Sequence, residues 1–184
     1  CYNTPDFIDS QYRLLKKFIK NDFEYIVFNN TMTNQNLTQT NTENNNNLKT
    51  VCQKNNIKFY DIPREIFSHI SDGDASRRAG TAIDFSHKIL FNTHGLDHTF
   101  FLLDSDAFLL TDFDVDDFMK NHKMAGRIQY RKTSQDIIKY VTNQIVIYKP
   151  TAFNKEIFLK NFSFLPCSIG NANCDCGGKI HFIL

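Results

Sequence analysis

Two carboxylates at spacing i, i+2, Asp104 and Asp106, follow the apolar run Phe100-Phe101-Leu102-Leu103 directly, and Ala107-Phe108 resumes the apolar pattern after them. Such a run is too short for a buried helix and reads as a strand covered on both faces. Neighbouring carboxylates repel, and desolvation beside an apolar strand adds to the cost. A hard divalent cation relieves both penalties and can hold phosphate oxygens at the same time. Mn2+ or Mg2+ suits this donor set. In open α/β sheets, ligands bind at the carboxyl ends of strands, which is where this pair is delivered. A solvated Asp-Ser-Asp turn is the plain alternative.

Other residue types on the chain have related chemistry. Arg77 and Arg78 fall just inside an expected helix N-terminus, where backbone N–H groups favour anions and a guanidinium adds bidentate phosphate recognition. Their alternative is a surface pair neutralised by Asp72 and Asp74. His181 is a candidate third metal ligand, set against a structural histidine in an apolar strand. Asp112, Asp114, Asp116 and Asp117 read as the solvated start of a helix, where acids complement the dipole. Cys167, Cys174 and Cys176 lack the C-x2-C spacing of a zinc knuckle and a clear fourth ligand, so they read as reduced thiols.

These residues require elements to place them. Residues 9–20 have the periodicity of an amphipathic helix with Lys at its end. Residues 23–28 and 57–62 are rich in β-branched and aromatic residues and read as strands, the second stopping at Pro63. Residues 29–47 are polar and of low complexity, as expected of a mobile loop, with a short helix over 48–55. Residues 76–91 predict a long helix ended by Gly95, with Ala79, Ile83, His87 and Leu90 near one face. A short helix is expected over 115–121 and strands over 124–130 and 141–148. The alternation of strands and helices predicts an α/β fold with a mixed, mainly parallel sheet flanked by helices on both faces. Gly-x-Gly-x-x-Gly and Gly-x-x-x-x-Gly-Lys-Ser/Thr are absent, which leaves metal and basic side chains to hold any phosphate.

Composition narrows the function further. The 184 residues suit one domain spanning 1–184. A formal net charge of +1 gives no electrostatic case for nucleic acid or an anionic membrane as partner. No apolar run is long enough for a transmembrane segment, and no signal peptide opens the chain. An odd count of five cysteines argues against a disulfide scaffold and for a cytoplasmic protein. The chain starts at Cys1 without Met and stops inside the apolar run ending at Leu184, so it reads as a fragment truncated at both ends.

Taken in order, four segments resemble a glycosyltransferase of the GT-A, nucleotide-diphospho-sugar transferase fold. The opening Cys1-Tyr2-Asn3-Thr4-Pro5-Asp6-Phe7 is similar to the loop after the first strand of that fold. Residues 23–30 resemble its second strand, Ser76-Arg77-Arg78-Ala79-Gly80 the start of the helix before the metal strand, and residues 102–108 its D-x-D motif. Cys174-Asp175-Cys176-Gly177-Gly178 also resembles an Asp-x-Gly-Gly turn near the acceptor site. The nearest likeness is to uncharacterised transferases of large DNA viruses and marine microbes. The resemblance implies a metal-dependent transfer of a hexosyl or related group from a UDP- or GDP-sugar to a glycan or other hydroxyl acceptor. It implies that Asp104 and Asp106 bind metal and donor, that Asn29, Arg77 and Arg78 contact the donor, and that Asp175 is the catalytic base or binds the acceptor hydroxyl. Many such enzymes have Asp where this chain has Asn29 and Asn30. The alternatives are a sugar nucleotidyltransferase and a non-catalytic nucleotide- or carbohydrate-binding module of the same fold.

Overall fold

In chain order the elements are α1 (Pro5–Phe18), β1 (Ile26–Asn29), α2 (Gln39–Lys54), β2 (Lys58–Asp61), α3 (Ala75–His94), β3 (Phe100–Leu103), α4 (Val115–Phe118), β4 (Met124–Lys132), β5 (Ile137–Tyr148), α5 (Lys155–Asn161), β6 (Cys167–Ile169) and β7 (Ala172–Cys174). They come from a computed structural model that describes residues 5–30, 39–71, 73–134 and 136–184. The chain forms a mixed α/β structure whose contacts cluster in two compact units. One comprises residues 1–64 and 104–120, the other residues 65–103 and 121–184.

The first unit is built on a parallel strand pair. Ile8, Gln11 and Leu15 repeat at helical spacing and form the buried stripe of α1, with Asp6 in its first turn and Lys16 and Lys17 in its last. Ile8 packs with Val27 of β1, Leu48 and Cys52 of α2, and Ile57. β1 and β2 pair in parallel from Ile26 opposite Lys58 to Asn29 opposite Asp61. A parallel pair needs a crossover between its strands, and α2 lies in that connection. The helix expected over 48–55 therefore reaches back to Gln39, into the segment expected as a loop. Residues 31–38 of that segment, residues 1–4 and Asp72 lie outside the described residues.

The second unit holds an antiparallel sheet in the order β3-β5-β4. Here the expectation of a mainly parallel sheet is corrected. β5 runs from Ile137, so only a four-residue turn separates it from β4, and such a connection cannot join parallel neighbours. Thr133 closes the turn, donating through its N–H and hydroxyl to the Asp136 carbonyl at 2.8 and 2.9 Å. β3 pairs antiparallel with β5, from Phe100 opposite Tyr148 to Leu103 opposite Ile145. It is an edge strand, and its four residues are only half-buried, so it is not covered on both faces as its sequence suggests.

α3 starts at Asp74, whose side chain accepts from the Arg77 N–H, and ends at Gly95 with φ +75°. Ala79, Ile83, His87 and Phe91, four residues apart, form its inner stripe; Phe91 takes the place expected of Leu90. The stripe meets Tyr148 and Val146 of β5, Phe158 of α5, Phe164 and Ile180. Among the described residues no helix is long and apolar enough to cross a membrane.

Candidate functional site

Asp104, Ser105, Asp106 and Ala107 form a turn closed by the Ala107 N–H donating to the Asp104 carbonyl at 3.0 Å. Its position follows from chain order: β3 ends at Leu103, one residue before it. The turn backbone is held from below by one side chain. Gln11 of α1 is 2 % exposed, and its Nε2 donates to the carbonyls of Asp104, at 2.9 Å, and of Ala107, at 2.5 Å. The Tyr25 hydroxyl donates in turn to the Gln11 Oε1. Burial pushes the Tyr25 phenol far up, so it remains a donor. Every polar atom of the Gln11 amide is thereby used, as a buried amide requires.

The clamp holds the backbone of the turn and leaves its carboxylates exposed. Asp104 Oδ1 accepts from the Ser105 N–H at 3.0 Å, inside the turn itself. Among the described residues neither Asp104 nor Asp106 is paired with a cationic side chain. By contrast the acidic run further on is spent locally, as its sequence suggests. Asp114 caps α4 by accepting from the Asp117 N–H at 3.0 Å, and Asn21 Nδ2 donates to Asp114 at 3.2 Å and to Asp116 at 3.0 Å. Asp112 faces Lys20 at 3.5 Å.

Gln11 and Tyr25 are absent from the sequence reading of the site. Gln11 did carry a signal: it is the polar member of the stripe Ile8, Gln11 and Leu15, and a polar group on a buried face needs a partner.

Asn29 sits at the carboxyl end of β1 and is buried. Its Nδ2 donates to Asn45 Oδ1 at 2.7 Å and Asp61 Oδ1 at 2.9 Å, and Asp61 pairs with Lys49 at 2.9 Å. The amide nitrogen thus ties the ends of β1 and β2 to α2, and both its donors are committed to the protein.

In the second unit, the Arg77 side chain meets Asp74 at 3.3 Å. Arg78 lies over the Phe67 ring at 5.2 Å and donates to the Ile70 carbonyl at 3.3 Å. Asp74 also occupies the helix N-terminus as its cap, so part of the anion-binding capacity expected there is used by the protein's own carboxylate. Asp175 is exposed at the end of β7. Its carbonyl accepts from the Gly178 N–H at 2.8 Å, closing a turn in which Gly177 has φ +95°. The nearby Ser76 hydroxyl, although its Oγ makes no hydrogen bond of full geometry, and the Cys176 N–H, donating at 2.8 Å, hold the Asp175 carboxyl below the ordinary carboxylate range, with Arg131 adding to the effect. The Asp175 N–H donates to the Tyr140 hydroxyl at 3.1 Å, and that hydroxyl donates to Gln129 at 2.6 Å. His181 lies in a short 3-10 segment, Gly178–Ile183, and not in a strand. Its Nδ1 is 3.0 Å from the Lys139 carbonyl, an acceptor, so Nδ1 is the donor of that contact.

Among the described residues no three His, Cys, Asp or Glu side chains converge to hold a metal ion. What the Asp104–Ala107 turn offers by itself is two exposed carboxylates. That number suits Mg2+ or Mn2+ bound through one or two carboxylates, with the remaining positions filled by water and substrate oxygens. No family model matches the chain, and neither a curated protein nor a solved structure matches it.

Proposed function

We propose that this chain is a metal-dependent glycosyltransferase domain of the GT-A type, moving a sugar from a UDP- or GDP-sugar to an acceptor hydroxyl. One observation carries the reading. The turn after β3 presents two exposed carboxylates that no cationic side chain pairs among the described residues, while its backbone is fixed by the buried Gln11 amide. A rigid turn with free carboxylates is what cation and diphosphate binding demand. In this reading Asp106 is the principal ligand of Mn2+ or Mg2+, and Asp104 supports it. Bound there, the ion supplies neutralising charge to a departing diphosphate. The residues of the chain do the rest. Gln11 holds the turn backbone, and the resemblance of Asp175-Cys176-Gly177-Gly178 to an acceptor-site turn makes Asp175 the residue to test for the acceptor hydroxyl.

A second reading, a binding module of the same fold, is favoured by Asn29. The Asp of many GT-A enzymes is replaced there by an amide whose donors are internally bonded. Titration calorimetry with UDP and GDP, with and without Mn2+, tests both. Asp106→Asn should lower Mn2+-dependent affinity by about tenfold or more, or about 1.4 kcal/mol. Folding should persist, because removing one of two like charges relieves repulsion. Equal affinity in the two proteins would rule out the metal role. Slow hydrolysis of the donor sugar identifies the transferase, binding without turnover the module, and pyrophosphate release a sugar nucleotidyltransferase.

A further inference from the structure

Cys167 and Cys174 face each other across the β6–β7 hairpin, with Ser168 opposite Asn173 and Ile169 opposite Ala172. The connection is the two-residue turn Gly170-Asn171, with φ +58° at Gly170, the arrangement that fixes the register of a short hairpin. Directly opposed residues of an antiparallel pair have Cα atoms about 4.5–5.5 Å apart, inside the range a disulfide spans. Both side chains point to the same neighbour. A Cβ built on Gly178 would lie 2.6 Å from the Cys174 Cβ and 3.2 Å from the Cys167 Sγ. Both thiols are free, and the remaining described cysteines belong elsewhere. Cys176 packs with Val141, Val146 and Tyr148, and Cys52 with Ile8 and Leu48.

We infer that Cys167 and Cys174 are a thiol–disulfide exchange site for low-molecular-weight disulfides, closed by a cross-strand bridge. The inference holds whether or not the chain transfers sugar. Cys167 is the half-exposed member and Cys174 the buried one, which sets the order of events. The Cys167 thiolate attacks the small disulfide, forming a mixed disulfide and releasing one small thiolate. The Cys174 thiolate then attacks the Cys167 sulfur, forming the protein bridge and releasing the second small thiolate. The two protons lost by the protein thiols are taken up by the two small thiolates. The protein pair is oxidised by two electrons and the small disulfide is reduced by two. Burial lifts both thiols above their ordinary range, and Lys179 near Cys167 and Arg131 near Cys174 work against that lift. The bridge would fix the end of β7, one residue before Asp175.

The test is to incubate the reduced, folded chain with glutathione disulfide, quench with acid, alkylate, digest and map the peptides. The expected result is a Cys167–Cys174 linked peptide two hydrogens lighter than its reduced parts, with both thiols lost to alkylation and Cys176 still alkylated. In Cys174→Ser the mixed disulfide should accumulate at Cys167; in Cys167→Ser, Cys174 should remain reduced. The wild-type chain decides the matter even if both variants misfold. Repeating the oxidation in guanidinium should remove the preference for the 167–174 bridge over the 167–176 bridge, whose loop is of similar length. A stable mixed disulfide at Cys167 in the folded wild type, a 174–176 bridge, or an unchanged preference in denaturant would overturn the inference.

Discussion

Gln11 has a concentrated role in the first unit, since one amide satisfies two turn carbonyls and one phenol. Gln11→Leu keeps the apolar stem but leaves the Tyr25 hydroxyl and the Ala107 carbonyl without this partner. At about 1–3 kcal/mol for each buried group left unsatisfied, the variant should lose about 2–4 kcal/mol in urea unfolding. A Mn2+-dependent nucleotide affinity, if present, should weaken with it, because the carboxylates would sit on a looser turn. A Gln11→Leu protein as stable as wild type would show that the clamp contributes little. Asp175 invites a different experiment. Its depressed pKa keeps it ionised at neutral pH but makes it a weak base, since general-base catalysis favours a pKa near the working pH. Asp175→Asn should therefore lower sugar transfer by less than the roughly 10²–10⁴-fold of a full general base, and leave nucleotide binding unchanged. A larger loss in initial rates would restore the base assignment, and a loss of nucleotide affinity would move Asp175 to the donor site.

The elements were unevenly legible, for reasons that lie in particular residues. α3 could be read over most of its length because Gly95 ends it and its inner face repeats every four residues, whereas the capping role of Asp74 was hidden behind its reading as a partner of the arginines. α2 was half hidden, because its N-terminal half is a run of Asn and Thr with no apolar period to detect. The direction of the main sheet was lost at a boundary. Reading β4 to Tyr130 and β5 from Val141 leaves a gap long enough for a crossover. The true ends, Lys132 and Ile137, leave a hairpin turn. Lys132, Thr133 and Asp136 carry no alternating pattern to reveal this. The acidic turn was visible from residue types alone, whereas its support was not, because Gln11 is 93 residues from Asp104 in sequence. At the turn after β7, Gly177 combines φ +95° with a place where a Cβ would lie 2.0 Å from the Val141 carbonyl oxygen. Gly177→Ala should cost about 3 kcal/mol or more, because strain and overlap add there. Thermal unfolding measures it, and a loss below about 1 kcal/mol would mean the turn relaxes freely.

At the scale of the whole molecule, the residue expected to govern acid sensitivity has no part in the candidate site. His87 lies in the aromatic core of the second unit, 5 % exposed, among the rings of Phe91, Tyr148, Phe162 and Phe164. Its Nδ1 is buried without a hydrogen-bond partner among the described residues. Burial pushes its pKa down to about 3, against 6.5 for an ordinary histidine. The folded state therefore keeps His87 neutral while the unfolded chain takes up a proton below about pH 6.5. More protons on the unfolded state means stability rises with pH, so it falls as the solution is acidified from that point. The slope approaches about 1.4 kcal/mol per pH unit once the unfolded histidine is fully charged. Asp84, half-buried and hydrogen-bonded to Ser163 and the Phe164 N–H, has its pKa raised by its partial burial. Its effect opposes that of His87, but only above the ordinary carboxylate pKa and up to its own raised value. Urea unfolding between about pH 6.5 and 5 should show wild type losing about 1–2 kcal/mol. His87→Phe places a ring among rings and removes the titrating group, so its stability should be flatter over the same interval. Parallel slopes in the two proteins would mean that the acid sensitivity comes from other groups and that His87 is protonated as easily in the core as in water.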